Sequence, residues 1–394
     1  MNGTSAEIQL DDVAQGIPAP ENKKNYPALD GFRAIAVLMV FWQHYYLNMH
    51  PYSAMNWGWV GVDLFFVLSG FLITGILFDT RDKPHRFHNF YVRRTLRIFP
   101  LYYGILILIL LSQPILHWDW NWKFWVWPLY LGNYARFISS YRTLGDFQTS
   151  GALLGHGTTL YLGHFWSLCV EEQFYLIWPF VVYIVRDRIK LRDICVIVCA
   201  VCLVARVACA LYLPEHYIKA EILYRITPLR ADALLFGGLI ALMMRGPEAA
   251  KLMRLARPAS VAFIAGFAVF EATYELFNHH AYRPVSGAPI LDTVGYTLID
   301  IFAAILILVL IQPRGLLFKV FTIKPLRRLG QISYGFYVFH DIPHTFYAKL
   351  AIRLMHRSLL TIPVAFCCTL VLSFLSFRYL EAPFLRLKER YTLR

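Results

Sequence analysis

Two ionisable residues, Arg33 and His44, interrupt the first apolar run of the chain, LDGFRAIAVLMVFWQHYYLN, Leu29 to Asn48. About 20 mostly apolar residues suffice to cross a bilayer as a helix. Arg33 and His44 are eleven positions apart, which at 100° per residue is three turns with an offset of about 20°. Both therefore lie on one face, about 16 Å apart along the axis. An ionisable side chain inside a span faces a protein interior or a wet cavity, and marks function by default. The chemistry this pattern allows is anion binding at one end of the helix and proton abstraction by an imidazole at the other.

Four further stretches carry polar groups into apolar surroundings. Arg93, Arg94 and Arg97 precede Ile98-Phe99-Pro100. Guanidinium forks three or four residues apart converge on one helix face and grip phosphate bidentately. Basic flanks can also be topology signals alone, but Arg33 opening at the same surface favours an anion site. GVDLFFVLSGFLIT (Gly61 to Thr74) brings Asp63 and Ser69. Ser69-Gly70 reads as small residues for close helix packing, and Asp63 as a carboxylate able to orient His44, with an interfacial acid as its alternative. FWSLCVEEQFYLIWP (Phe165 to Pro179) holds Glu171 and Glu172, whose side chains point about 100° apart. Ser167, Glu171 and Tyr175 share one face, which makes Glu171 the acid of a polar cavity. ISYGFYVFHDIPH (Ile332 to His344) places Ser333, Tyr334, Tyr337, His340, Asp341 and His344 in one span. Hydrogen-bonded glue between helices is the competing role there. Arg206, Arg230, Asp232 and Asp300 are polar intruders that sequence does not rank, and Glu381-Ala382-Pro383-Phe384 reads as a helix stop. The candidate catalytic set is thus His44, Asp63 and Glu171. The anion-binding set is Arg33, Arg93, Arg94 and Arg97, and Ser69, Glu172, Tyr175, Tyr334, Tyr337 and His340 are further cavity candidates.

The elements that must position them are membrane helices. With 58 % hydrophobic residues in 394 and a mean hydropathy of +0.48, the chain is too apolar for an ordinary soluble domain. Its net charge of +13 sits in short loops between apolar spans, which encodes topology and argues against nucleic-acid binding. The seven cysteines lie in or beside apolar segments and form no zinc pattern, so no metal is expected. The fold expected is an all-α polytopic transmembrane bundle of about ten spans: 29–48, 59–78, 98–116, 165–185, 193–213, 225–244, 259–277, 291–312, 331–350 and 358–380. Residues 1–28 form a polar tail that reads as disordered and lacks the features of a signal peptide. Residues 385–394 are a second short tail. With the N-terminus inside, the inner segments hold 25 Lys+Arg and the outer ones 8. That bias puts both termini in the cytoplasm. It also makes Trp120–Ile138 a re-entrant or interfacial piece, because an eleventh crossing would invert every later loop. Arg33 and the arginine cluster then lie near the inner surface, with His44, Asp63 and Glu171 towards the outer one.

Read together, LDGFRAIAVLMVFWQH with its Arg-x10-His spacing, VDLFFVLSGFLIT, RRTLRIFPLYY, FWSLCVEEQFY and SYGFYVFH resemble the acyltransferase-3 family of integral membrane O-acyltransferases, from about Tyr26 to Phe384. The resemblance implies a cytoplasmic acyl-CoA donor, typically acetyl-CoA, and an acceptor hydroxyl at the outer face, often on a surface carbohydrate. It implies His44 as the catalytic residue with Arg33 its partner, Arg94 and Arg97 as the family's Arg-x-x-Arg at the donor, and a bacterial inner (plasma) membrane location. Many relatives continue into an extracytoplasmic SGNH esterase-like domain. With the sequence ending at Arg394, the expectation is transfer by the membrane domain alone or hand-over to a separate acyl-accepting protein. Sugar contacts are expected from the aromatic segment Trp118–Tyr141. A proton-coupled transporter or flippase suits intramembrane His, Arg and Glu on composition alone, and a polysaccharide-assembly scaffold is a third class.

Overall fold

The computed structural model describes residues 26–47, 57–118, 122–135, 146–149, 158–213, 222–278, 289–355 and 360–392. The tail expected to be disordered lies outside them except for its last residues, and part of the Trp118–Tyr141 segment does too. The helices, in chain order, are α1 (Pro27–Trp42), α2 (Val60–Thr80), α3 (Arg86–Leu116), α4 (Trp166–Val185), α5 (Arg188–Tyr212), α6 (Thr227–Met243), α7 (Ala249–Asn278) and α8 (Pro289–Leu310). They continue with α9 (Leu316–Phe321), α10 (Lys324–Gln331), α11 (Ser333–Phe339), α12 (His344–Met355), α13 (Thr361–Ser376) and α14 (Ala382–Tyr391). Eight helices among the described residues are long and apolar enough to span a membrane. They coincide with eight of the ten expected crossings. The other two are irregular, and both carry site residues.

The first expected span is α1 followed by a π turn, Gln43–Leu47, so His44 sits in a widened turn at the helix end. The ninth is not one helix. It is α11, a turn over His340–Pro343, and α12, because Pro343 cannot donate to the carbonyl four residues back. The segment after Ser376 departs from expectation as well: the chain passes through a second π turn, Phe377–Glu381, straight into α14. Pro383 lies in the first turn of α14 and does not stop the helix. Likewise α3 begins at Arg86, so the arginines expected in a loop ride on a continuous helix.

α2 carries apolar residues on every side and is mostly buried, as expected of a helix at the centre of a bundle. It touches α6 backbone to backbone. A Cβ on Gly70 would strike the Leu234 carbonyl, and one on Gly237 would strike the Val67 carbonyl. α9 and α10 close over the start of α1, where Gly330 abuts the Asp30 carbonyl. Outward-facing Leu176, Ile177, Ile184, Val201, Val204, Val261 and Val269 are exposed and form the apolar band that lipid covers.

The described part of the aromatic segment, Trp122–Ala135, consists of short 3-10 turns, in keeping with a piece that packs on the bundle. Tyr102 stacks on Tyr130 at 4.3 Å and donates to the Trp127 carbonyl at 2.8 Å. Gln173 of α4 donates to Tyr130 O and Asn133 Oδ1 at 2.7 and 2.9 Å. The structure also adds a two-stranded antiparallel hairpin, β1 (Asp146–Thr149) and β2 (Thr158–Tyr161), to the otherwise helical fold.

Candidate active site

The break between α11 and α12 frees carbonyls that would be costly in a membrane interior. Groups from three other stretches catch them. Tyr45 donates to His340 O at 2.6 Å, and Tyr347 to Phe339 O at 3.4 Å. The Tyr161 amide of β2 donates to Ile342 O at 3.0 Å, while Thr159 and Thr345 exchange two bonds of 2.8 and 2.9 Å. His164 Nε2 lies 3.2 Å from Val338 O, and His340 Nδ1 lies 2.6 Å from Tyr337 O. The hydrogen bonds that stabilise the break therefore bring four imidazoles together.

Asp341 is their hub. Its Oδ2 lies 3.9 Å from His44 Nε2 and 3.5 Å from His164 Nδ1, and its Oδ1 lies 3.4 Å from His344 Nδ1. His164 and His340 are buried, whereas the His44 and His344 side chains keep 27 % and 29 % exposure and can meet a substrate. His44 Nδ1 lies 2.9 Å from the Val40 carbonyl, four residues back along α1. A carbonyl only accepts, so this contact assigns the proton of the neutral ring to Nδ1 and leaves Nε2 as the basic nitrogen. His340 Nε2 approaches the same Nδ1 at 3.3 Å. Tyr45 stacks on His344 at 4.4 Å and 5°, which fixes the other side of the cluster.

A cavity of about 300 Å³ runs from Arg33, Arg94 and Arg97 at one end to Ser167 and Tyr337 at the other. Arg94 and Arg97 are three apart on α3, so the helix turns both into it, and the three guanidiniums lie close enough to act on one another. Arg94 also covers the Tyr175 ring at 4.8 Å, and Arg33 reaches Asp30 at 3.3 Å. Ser69, Glu171, Glu172 and Tyr175 line the middle with apolar Val62, Phe65 and Leu72, and Ser69 hydrogen-bonds Tyr175. At the far end Tyr337 donates to His164 O at 2.7 Å and accepts from Ser167 at 2.6 Å. The Tyr337 ring is 5.4 Å from the rings of both His164 and His340. The cavity thus ends on a hydroxyl pair that backs onto the imidazole cluster.

Most of the residues singled out in the sequence gather in these two places, which adjoin at Tyr337. Arg33, Arg94, Arg97, Ser69, Glu171, Glu172, Tyr175, Tyr334 and Tyr337 line the cavity, and His44 and His340 join the cluster. Two go elsewhere. Asp63 is fully buried in an ion pair with Arg230, so the carboxylate beside His44 is Asp341. Arg93 is exposed and faces away from the cavity. Glu171 is with the arginines and not with His44, and Ser69 lines the cavity while its neighbour Gly70 makes the helix contact. Among the described residues no His, Cys, Asp or Glu group is arranged to hold a metal. Sequence reading missed His164, which precedes the fourth expected span by one residue. Its one signal is the unbroken run His164-Phe165-Trp166-Ser167.

The site is thus an imidazole cluster on a broken helix beside a guanidinium-mouthed cavity, inside a polytopic helical membrane bundle. The model of the acyltransferase-3 family, an acyltransferase domain, matches residues 26–378, and the chain belongs to that family. It is similar to the peptidoglycan O-acetyltransferase OatA of Listeria monocytogenes, 28 % identical over 92 % of this chain and 56 % of the relative. It is similar also to the putative peptidoglycan O-acetyltransferase YrhL of Bacillus subtilis, 31 % identical over 81 % of this chain and 49 % of the relative. O-acetyltransferase OatA of Staphylococcus aureus is 27 % identical over 80 % and 50 %. The chain spans about half the length of these curated relatives. No solved structure matches it.

Proposed function

We propose that the protein is a membrane O-acetyltransferase that takes an acetyl group from cytoplasmic acetyl-CoA and delivers it to a hydroxyl of a cell-wall glycan, of peptidoglycan type, at the outer face. One observation carries this reading: a single cavity joins three guanidiniums to a hydroxyl pair that backs onto the His44–His340–Asp341 cluster. Its volume of about 300 Å³ falls at the lower end of small-molecule sites, roughly 300–1,000 Å³. The phosphates of CoA stay with Arg33, Arg94 and Arg97, where forked donors match them. The flexible arm lies between the apolar walls, with its thioester towards Tyr337.

In the reaction His44 Nε2 removes the proton of the acceptor hydroxyl as its oxygen attacks the thioester carbonyl. The new C–O bond forms, the C–S bond breaks, and the proton passes from the imidazolium to the departing sulfur. Asp341, 3.9 Å from Nε2, steadies the imidazolium while it exists. The names of the relatives support acetyl as the group and peptidoglycan as the acceptor class, and the positive-inside bias supports the direction. The test is purified protein in nanodiscs with acetyl-CoA labelled in its acetyl group and muropeptide oligosaccharide as acceptor. Label on the glycan with release of free CoA thiol, lost in His44→Ala, is the expected outcome. Passage of glycan across vesicle membranes without CoA dependence would mean a carrier instead.

A further inference from the structure

Packed between α2, α5, α6 and α8 is a second group of intramembrane charges, none of which lines the acyl cavity. Arg206 of α5 donates to both oxygens of Asp232 at 2.8 and 2.6 Å, to Thr297 Oγ1 at 2.6 Å and to Leu229 O at 2.5 Å. Arg230 of α6 is ion-paired with Asp63 of α2, and its guanidinium lies 4.5 Å over the Tyr296 ring of α8. All four charges are completely buried.

Asp300, midway along α8, is completely buried beside them, and neither of its oxygens has a hydrogen-bond donor. The charged groups acting on it are Asp232, Arg230 and Arg206, and the uncharged thiols of Cys199 and Cys202 on α5 also lie near it. The ionisable groups of α7, which also packs on α8, lie towards its two ends: Glu271, Tyr274 and Glu275 at one, Lys251, Arg254 and Arg257 at the other. Two guanidiniums thus face three carboxyl groups. Each guanidinium has one carboxylate partner, so an ionised Asp300 would leave one negative charge unpaired where desolvation is most costly. A carboxylic acid there carries no such cost.

We propose that Asp300 is a proton-binding site. Its carboxyl carries a proton in the folded protein at neutral pH and so makes the five-residue group electrically neutral. The same count predicts when the proton leaves: removing the charge of Asp232 frees the Arg206 guanidinium, and Asp300 ionises to pair with it. The site is independent of the acyl-transfer reading, and so is its test, which measures no activity.

The experiment is infrared absorption of the full chain in nanodiscs, grown with aspartate labelled with carbon-13 at its side-chain carboxyl. Wild type at neutral pH is expected to show an isotope- and deuterium-sensitive C=O band equal to one protonated aspartate per chain. That band should vanish in Asp300→Asn and also in Asp232→Asn. Absence of the band from wild type overturns the proposal without any variant, and so does a band that survives either substitution. If Asp300→Asn does not fold, the wild-type and Asp232→Asn spectra decide the matter.

Discussion

Which nitrogen of an imidazole is basic decides what it can do, and in His44 the Val40 carbonyl makes that choice. His44→Ala should therefore lower acetyl transfer by about 10²–10⁴-fold, the usual worth of a positioned general base, while the thermal unfolding midpoint stays near wild type. Asp341→Asn should reduce kcat by less, with the donor KM unchanged, because the amide keeps the shape but not the charge that steadies the imidazolium. At the other end of the cavity, Arg94→Ala or Arg97→Ala removes a charge-assisted bond worth roughly 1.5–3 kcal/mol. The donor KM should rise about 10- to 100-fold, and Arg93→Ala should leave it unchanged. A donor KM unchanged in Arg94→Ala and Arg97→Ala would return the cluster to a topology role. Arg33 and His44 were legible because a charge in an apolar run has few explanations. Asp63 was assigned the wrong partner for a definite reason: span position fixes depth, but not which neighbour a helix face meets. Asp63 and His44 share a depth, yet α6 brings Arg230 to the first of them.

At the scale of elements, the irregular helices hold the chemistry and the regular ones hold the frame. Tyr45→Phe deletes the hydroxyl that caps His340 O. It should cost about 1 kcal/mol of stability and reduce transfer, because the turn carrying Asp341 loses a restraint. Gly237→Ala places a methyl against the Val67 carbonyl. Overpacking of that kind typically costs about 1–3 kcal/mol, read as a lower unfolding midpoint in detergent; a midpoint equal to wild type would mean that α2 and α6 separate without penalty. Eight crossings were readable because long apolar runs need no partner to be recognised. The ninth was read as continuous because Ser333, Tyr337, His340 and His344 follow helical spacing straight through it. Pro343 stood in the sequence as a warning, but the break persists through Tyr45, Tyr347 and Tyr161, which only the folded chain brings to it. The π turn at His44 has no sequence signature of its own.

For the whole molecule, the positive-inside bias and the depth of the arginines make one prediction about sidedness. In sealed cells, a cysteine replacing exposed Arg93 should react with a membrane-impermeant thiol reagent only after the inner face is opened. A cysteine replacing Trp125, 56 % exposed in the aromatic segment, should react from outside. Both variants need a background in which the seven native cysteines are replaced. Labelling of the two from the same side would contradict the orientation on which the direction of transfer rests.

The carbonyls freed at Pro343 are caught by Tyr45, His164 and Tyr161, residues synthesised long before α11 and α12. During biogenesis the early helices must accordingly wait, with Asp341 still unmade, for a late segment too polar and too interrupted to insert well alone. A ribosome-stalled chain that stops short of this segment should hold its first eight helices in the bilayer yet leave the His164 ring, 1 % exposed in the complete fold, open to chemical modification, and completion of the chain should close it off.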